Sequence, residues 1–161
     1  MPHHKMRRHD REITDAATIE RILTQGKYVT IALADADEPY AVTLSYGYEP
    51  DTKCLYFHAA REGRKMDIIA KNPRACATIV CDSGYNQGEC EHPFESVVMF
   101  GTMRRLDEDA EKRHAIHVLV RHLEDDPEAY WDSRKWALDE RIGGFSALAF
   151  DIERLSAKRG Q

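Results

Sequence analysis

The order of short strand-forming segments limits the fold more than any other feature of this 161-residue sequence. Apolar residues alternate with polar or small ones in several short runs, and this period of two is typical of β-strands. Turns break the chain between runs, as at Asp35 to Glu38 and at Pro50-Asp51. Strands in this mostly hairpin order favour an antiparallel barrel over a parallel sheet. The six predicted strands span residues 28–33, 40–48, 54–59, 75–82, 96–106 and 145–155.

Helical segments are predicted at one end of these strands and between them. The first follows a cap at Thr14 or Asp15 and stops at Gly26, and a short one runs from about Gly63 to Lys71. Asp107 is predicted to cap a longer helix, and a shorter helical region follows Pro127. The longer helix has an apolar stripe of Ile116, Leu119, Val120 and Leu123, and the shorter region carries Tyr130, Trp131 and Trp136. The predicted class is therefore mainly β, within α+β.

Length and charge narrow the possible functions. A chain of 161 residues suits one domain, here residues 1–161 with residues 1–12 as an N-terminal arm. A net charge of -5 argues against general nucleic-acid binding, which needs a basic face. There is no apolar run of about 18 residues and no secretory leader, so we expect a cytoplasmic protein that contacts no membrane. The four cysteines (Cys54, Cys76, Cys81 and Cys90) are expected to be thiols that bind no structural metal.

The second predicted strand has two unlike faces. Large side chains from Tyr40 to Tyr48 point one way, while small or hydroxyl residues point the other. The small face consists of Ala41, Thr43, Ser45 and Gly47. A face of this kind allows a flat ligand to approach the backbone, although a close-packed barrel interior or a plain solvent face also explains it.

The third strand leads into a helix that begins with two cations, Arg64 and Lys65. Positive charges at a helix N-terminus oppose the helix dipole, and a bound phosphate would remove that penalty. The small residues Ala59, Ala60 and Gly63 leave room for an anion. Solvated Arg and Lys side chains are the alternative interpretation.

These segments together resemble the pyridoxamine-phosphate-oxidase-like flavoprotein superfamily, and more closely its nitroimidazole-resistance branch. The similarity extends in order along nearly the whole chain. The matching stretches are residues 6–12, 39–48, 56–65, 95–102, 111–112 and 155–158.

The resemblance implies a homodimeric split barrel with two flavin mononucleotide (FMN) sites at the subunit interface. It implies that the phosphate is held by His58, Ala59, Ala60, Gly63, Arg64 and Lys65, and that the isoalloxazine ring lies along Val42, Thr43, Leu44 and Ser45. From the partner subunit, Met99 and Phe100 are the expected wall of the site. Two positions depart from the family pattern: Thr43 stands where proline is expected, and Ala59 replaces a small hydroxyl residue that would contact the phosphate.

The function expected from this resemblance is an FMN-dependent oxidoreductase that reduces a small electrophile, such as a nitro-aromatic or a quinone, with a small-molecule electron donor. His58 is the candidate catalytic residue, as a proton donor or a substrate-orienting group, unless it is only hydrogen-bonded at the barrel rim. A haem-binding or haem-processing protein, with His58 or His92 as ligand, is the alternative, and a flavin carrier or sensor is a third. Cys81, Cys90 and His92 could converge on a metal, but their spacing fits no tight zinc pattern.

Overall fold

The computed structural model describes residues 6–134 and 137–160. Trp136 and the first five residues of the predicted N-terminal arm lie outside this range. Within it, the strands are β1 (Glu12–Ile13), β2 (Tyr28–Asp35), β3 (Glu38–Ser45), β4 (Gly47–Glu49), β5 (Cys54–Ala59), β6 (Arg74–Asp82), β7 (Phe94–Leu106) and β8 (Ser146–Gly160). The helices are α1 (Ala16–Gln25), α2 (Arg64–Lys71), α3 (Asp109–Leu123), α4 (Pro127–Arg134) and α5 (Ala137–Arg141), with short 3-10 turns at His9–Arg11 and Ile142–Gly144.

All strands belong to one antiparallel sheet, in the order β3-β2-β6-β7-β8-β5-β4, with β1 paired to β8. The sheet rolls up because β3 at one edge and β4 at the other are separated in sequence by Tyr46 alone. Strands β3 and β5 lie near each other where the barrel is split, without a ladder between them. The predicted antiparallel split barrel is confirmed.

The strand count differs from the prediction of six. The second predicted strand divides at Tyr46, whose ring is fully buried and whose hydroxyl donates to the Leu23 carbonyl at 2.7 Å. The chain bends at Tyr46, and this bend lets it pass from one edge of the sheet to the other. A short extra strand, β1, fixes the described part of the N-terminal arm against β8.

The barrel interior holds the main core, in which Leu55, Phe57 and Phe150 have no exposed surface. Burial of each such side chain contributes about 1.5–3 kcal/mol. A second, smaller cluster lies outside the barrel, where α3 covers Cys54 and Tyr56 of β5. None of the helices in the described residues combines the length and hydropathy that a membrane span requires.

The predicted helices form, with one difference at a cap. Asp15 caps α1 by accepting a hydrogen bond from the Thr18 amide at 2.8 Å. The long helix α3 is preceded by Glu108 as its N-cap, not by Asp107, and no side chain accepts a hydrogen bond there. Its two acidic first-turn residues still suit the positive end of the helix dipole.

Candidate functional site

The predicted phosphate turn lies between the end of β5 and the start of α2. Gly63 is the N-cap of α2, with φ of +123°, a conformation that side-chain-bearing residues rarely adopt, and open space surrounds its Cα. No side chain caps α2, whereas the Asp15 side chain caps α1. The Met66 and Asp67 amides donate to the Gly63 carbonyl, so the Arg64 and Lys65 backbone N–H groups are the ones available to an anion.

The two cations of the turn differ in what they contact. The Arg64 guanidinium forms an ion pair with Glu38 at 2.9 Å and lies over the Tyr40 ring, 4.9 Å from its centroid. Lys65 is half-buried and forms no ion pair with any carboxylate of the described chain. A third cation, Arg61, donates a hydrogen bond to the Gly143 carbonyl at 3.2 Å. Lys65 is therefore the cation here that contacts no acceptor among the described residues, whereas Arg64 would have to leave Glu38 to bind a phosphate.

Arg64 also joins the two halves of the predicted site. Both of its contacts, Glu38 and Tyr40, belong to β3, the strand that was predicted to carry the flat ligand, and lie on its large-residue side, opposite the small face. The start of α2 and the edge strand of the split barrel are thus in direct contact. The sequence does not predict this contact, because an ion pair between segments that are distant in sequence leaves no local pattern.

The two faces of β3 are as unlike as predicted over most of its length. Ala41, Thr43 and Ser45 are exposed, while Val42 and Leu44 pack partly against the barrel core. The Thr43 hydroxyl lies 3.0 Å from that of Thr30 on the paired strand. Any ligand on this face would meet the side chains of Thr43 and Ser45 but only the backbone of Val42 and Leu44.

Gly47 does not belong to this open face. It is buried, and a Cβ placed on it would lie 2.6 Å from the Leu119 amide nitrogen of α3. The residue is small because a helix crosses it, not because a ligand does. The prediction for Gly47 was wrong.

His58 and Ala59 end β5 on opposite sides of the sheet. Ala59 is buried in the barrel core, so only its backbone is available to a phosphate, whereas Ala60 is exposed. The His58 ring is exposed and lies 4.9 Å from the ring of Phe145. It forms no hydrogen bond with other described residues, so the interpretation of His58 as a hydrogen-bonded rim residue finds no partner here. Although the ring is accessible to solvent, desolvation by the groups around it and the neighbouring Lys65 charge lower the pKa of His58, which favours the neutral imidazole.

The two residues expected to wall a partner's site lie on opposite faces of β7. Met99 has no exposed surface and belongs to the barrel core, so its side chain cannot reach a partner's ligand. Phe100 faces outward, is partly exposed, and lies under the Arg154 guanidinium at 4.2 Å. Only Phe100 therefore points outward, as a residue that lines a partner's site must.

The loop before β7 does not assemble a metal site. His92 lies 2.8 Å from an Asp82 carboxylate oxygen, and Cys81 packs towards the Ile22 carbonyl instead. Among the described residues, no three His, Cys, Asp or Glu side chains converge as metal ligands. All four cysteines are unpaired thiols.

Comparison with known proteins agrees with this geometry. A sequence model described as pyridoxamine 5'-phosphate oxidase matches residues 15–159. A candidate 5-nitroimidazole antibiotic resistance protein of Bacteroides thetaiotaomicron VPI-5482 is 25% identical, with a TM-score of 0.76 over 92% of this chain and 86% of that one. No curated protein matches the chain.

Two further solved structures share the fold at lower identity. The flavocytochrome Anf3 of Azotobacter vinelandii is 19% identical, with a TM-score of 0.77 over 96% of this chain and 72% of that one. An FAD and heme binding protein of Mycobacterium smegmatis is 18% identical, with a TM-score of 0.75 over 94% of this chain and 74% of that one. At these identities the likeness shows a common split barrel.

Proposed function

The chain belongs to the pyridoxamine 5'-phosphate oxidase family, and from that premise we propose that it is a flavoprotein that binds FMN and reduces a small electrophile of the nitro-aromatic or quinone type. The observation that carries the proposal is the contact between α2 and β3. It brings an uncapped helix N-terminus, where Lys65 has no carboxylate partner, against β3, the edge strand whose opposite side is an exposed face of small residues. A phosphate at one end and a flat ring at the other is what such a surface accommodates.

In this proposal each group of the site has a defined task. The first-turn amides of α2 and the Lys65 ammonium hold the phosphate, and the face with Thr43 and Ser45 lets the ring approach β3 closely. When bound, the flavin supplies the electron transfer that no side chain of the chain can supply. Desolvation and the Lys65 charge lower the pKa of His58 and so favour the neutral imidazole, whose ring N–H donates a hydrogen bond to the acceptor.

The absorption spectrum and mass of the co-purified small molecule test the proposal. We expect blue-region flavin bands and the mass of FMN, released when the protein is denatured. The mass of FAD would support a flavoprotein but would show that its cofactor is FAD and not FMN. A sharp Soret band would favour haem instead, for which the exposed imidazole of His58, free of hydrogen bonds to other described residues, is the supporting observation. Flavin bound without turnover of nitro-aromatic or quinone acceptors would indicate a carrier or sensor.

We further propose that two copies of the chain form the site. Register places Thr43 beside Thr30, and Thr30 beside Thr78 of β6, so the small face of β3 continues across the outside of the barrel. Tyr28 and Val80 on this side are 65% and 53% exposed. A second copy that covered this surface would also wall the flavin, with Phe100 as a candidate contact.

The expected result is a homodimer that retains its flavin in sedimentation velocity at micromolar concentration. An obligate interface of this kind buries more than roughly 2,000 Å² in total. As a check on the surface, Val80→Lys should shift the protein towards monomer and release flavin, because it places a charge in the apolar interface. A monomer that still holds flavin would contradict the proposal.

A further inference from the structure

A cavity of about 350 Å³ lies beside His58, on the side of the sheet opposite the barrel core. Its floor is the apolar side of α3, and Phe145 closes it near the start of β8. The floor residues are Ile116, Leu119, Val120 and Leu123. This is the apolar stripe noted in the sequence, and Ile116 and Leu123 within it are only half-buried and border open space.

Aromatic rings form one wall of the cavity. Tyr130 and Trp131 of α4 contact each other edge to face, with ring centroids 5.2 Å apart and planes at 90°. The Trp131 ring also contacts the His117 ring of α3, with ring centroids 4.3 Å apart. Rings fixed in this way offer a flat, rigid surface against which a planar ligand packs at little cost in side-chain entropy.

The charged groups at the cavity favour an anion. Two guanidinium groups, those of Arg134 and Arg141, line it together with a single carboxylate, Glu124. Arg134 lies over the Tyr130 ring at 5.1 Å, and neither arginine is paired with a carboxylate of the described chain. Arginine forks suit carboxylates because they donate two parallel hydrogen bonds.

His58 connects the cavity to the proposed flavin site. Its ring lines the cavity and at the same time feels the charge of Lys65, so the cavity opens beside the phosphate turn. A volume of about 350 Å³ is near the lower end of ligand pockets, which span roughly 300–1,000 Å³. It therefore suits a ligand of one or two rings.

We propose that this cavity binds a planar aromatic carboxylate of one or two rings, and that it is the acceptor pocket of the flavoprotein for such acids that also carry a reducible nitro or quinone group. The acceptor role rests on the proposed function, whereas the binding of the aromatic acid does not. The apolar floor and the Tyr130–Trp131 wall hold the rings, Arg134 and Arg141 bind the carboxylate, and His58 faces the end of the ligand nearest the phosphate turn.

The test uses 2-naphthoate and its neutral counterpart 2-naphthalenemethanol, titrated by calorimetry into the full chain with and without added FMN. We expect 2-naphthoate to bind more tightly than about 1 mM and more tightly than the alcohol. The double variant Arg134→Gln/Arg141→Gln should weaken the binding of 2-naphthoate by about 3- to 30-fold and leave the binding of the alcohol unchanged. The matched control is Arg121→Gln, on α3 but outside the cavity, and it should change the affinity for neither ligand.

Each outcome separates the cavity from the flavin site. Absence of 2-naphthoate binding in a chain that binds FMN overturns the cavity assignment and leaves the proposed function intact. Equal binding of the acid and the alcohol overturns the carboxylate preference. Binding of 2-naphthoate by a chain that takes up no flavin supports the site and removes its acceptor role. In a flavin-loaded enzyme, the double variant should raise KM for a naphthoquinone sulfonate but not for a neutral naphthoquinone.

Discussion

Replacing Lys65 by alanine is expected to weaken FMN binding by about 10- to 150-fold, because an ionic hydrogen bond to phosphate contributes about 1.5–3 kcal/mol. Lys65 is the half-buried cation of the turn and forms no ion pair with a carboxylate of the described chain. Folding should change little, since the substitution removes a positive charge from the start of α2, where the helix dipole disfavours it. Equilibrium titration of flavin fluorescence measures the affinity.

Riboflavin, which lacks the phosphate, is the matched ligand and should bind Lys65→Ala and the parent chain almost equally. Lys71→Ala is the matched variant, because Lys71 lies at the other end of α2 in a pair with Asp35 at 3.6 Å, and it should leave FMN binding unchanged. Arg64→Ala should weaken FMN less than Lys65→Ala does, because Arg64 is already held by Glu38.

A second measurement on the same variant examines the link to His58. Removal of the Lys65 charge should raise the pKa of His58 towards its ordinary value, because that charge is one of two causes that lower it, after burial. NMR titration of the imidazole reports this directly. If Lys65→Ala weakens riboflavin and FMN alike, Lys65 acts on the ring or on the fold, and the phosphate assignment is wrong.

Local signals in the sequence indicate the two halves of the proposed site, because each half depends on neighbouring residues. The end of β5, the glycine before α2 and the cations that follow it are consecutive, and the alternation of β3 is read within one strand. Their contact through Arg64 and Glu38 depends on how the barrel closes. No local pattern encodes that closure.

The alternation of apolar and polar residues does not predict which side of a strand faces the core where consecutive residues are all apolar. The run Val97-Val98-Met99-Phe100 gives no indication of which side faces the core, and the structure places Val97 and Met99 inside. Pairing of β7 with β6 and β8 fixes that choice, so the side of Met99 is a property of the sheet, not of the segment. The same limit applies to the stripe of α3, whose periodicity predicts a buried face but not the cavity beneath it.

Gly47 illustrates a third limit, because its small size has two physical explanations that the sequence does not distinguish. Tyr46, Gly47 and Tyr48 are all buried, which breaks the alternation that β3 maintains up to Ser45. The chain bends at Tyr46 and α3 then passes over Gly47. Close backbone approach is a regular use of glycine, and here the approaching group belongs to the protein itself.

Gly47→Ala is accordingly expected to lower the free energy of unfolding by about 2–4 kcal/mol, a large effect for one methyl group. The added Cβ would lie 2.6 Å from the Leu119 amide nitrogen and 2.7 Å from the Val118 carbonyl carbon. Both atoms are backbone atoms of α3, so the helix has to move, and no side-chain rotation relieves the clash. The melting temperature, followed by circular dichroism, should fall by about 4–16 °C.

Gly143→Ala is the matched control, because a Cβ at Gly143 meets no atom within 4 Å, and its stability should stay within about 0.5 kcal/mol of the parent. The displaced helix carries the floor of the cavity beside His58. Gly47→Ala should therefore weaken 2-naphthoate binding even where the variant is fully folded, while the affinity for FMN, which depends on α2 and β3, changes less. Equal melting temperatures for Gly47→Ala and the parent would show that α3 does not pack on β4 as closely as described. A loss of FMN affinity as large as the loss of 2-naphthoate affinity would place the flavin against α3 instead of β3.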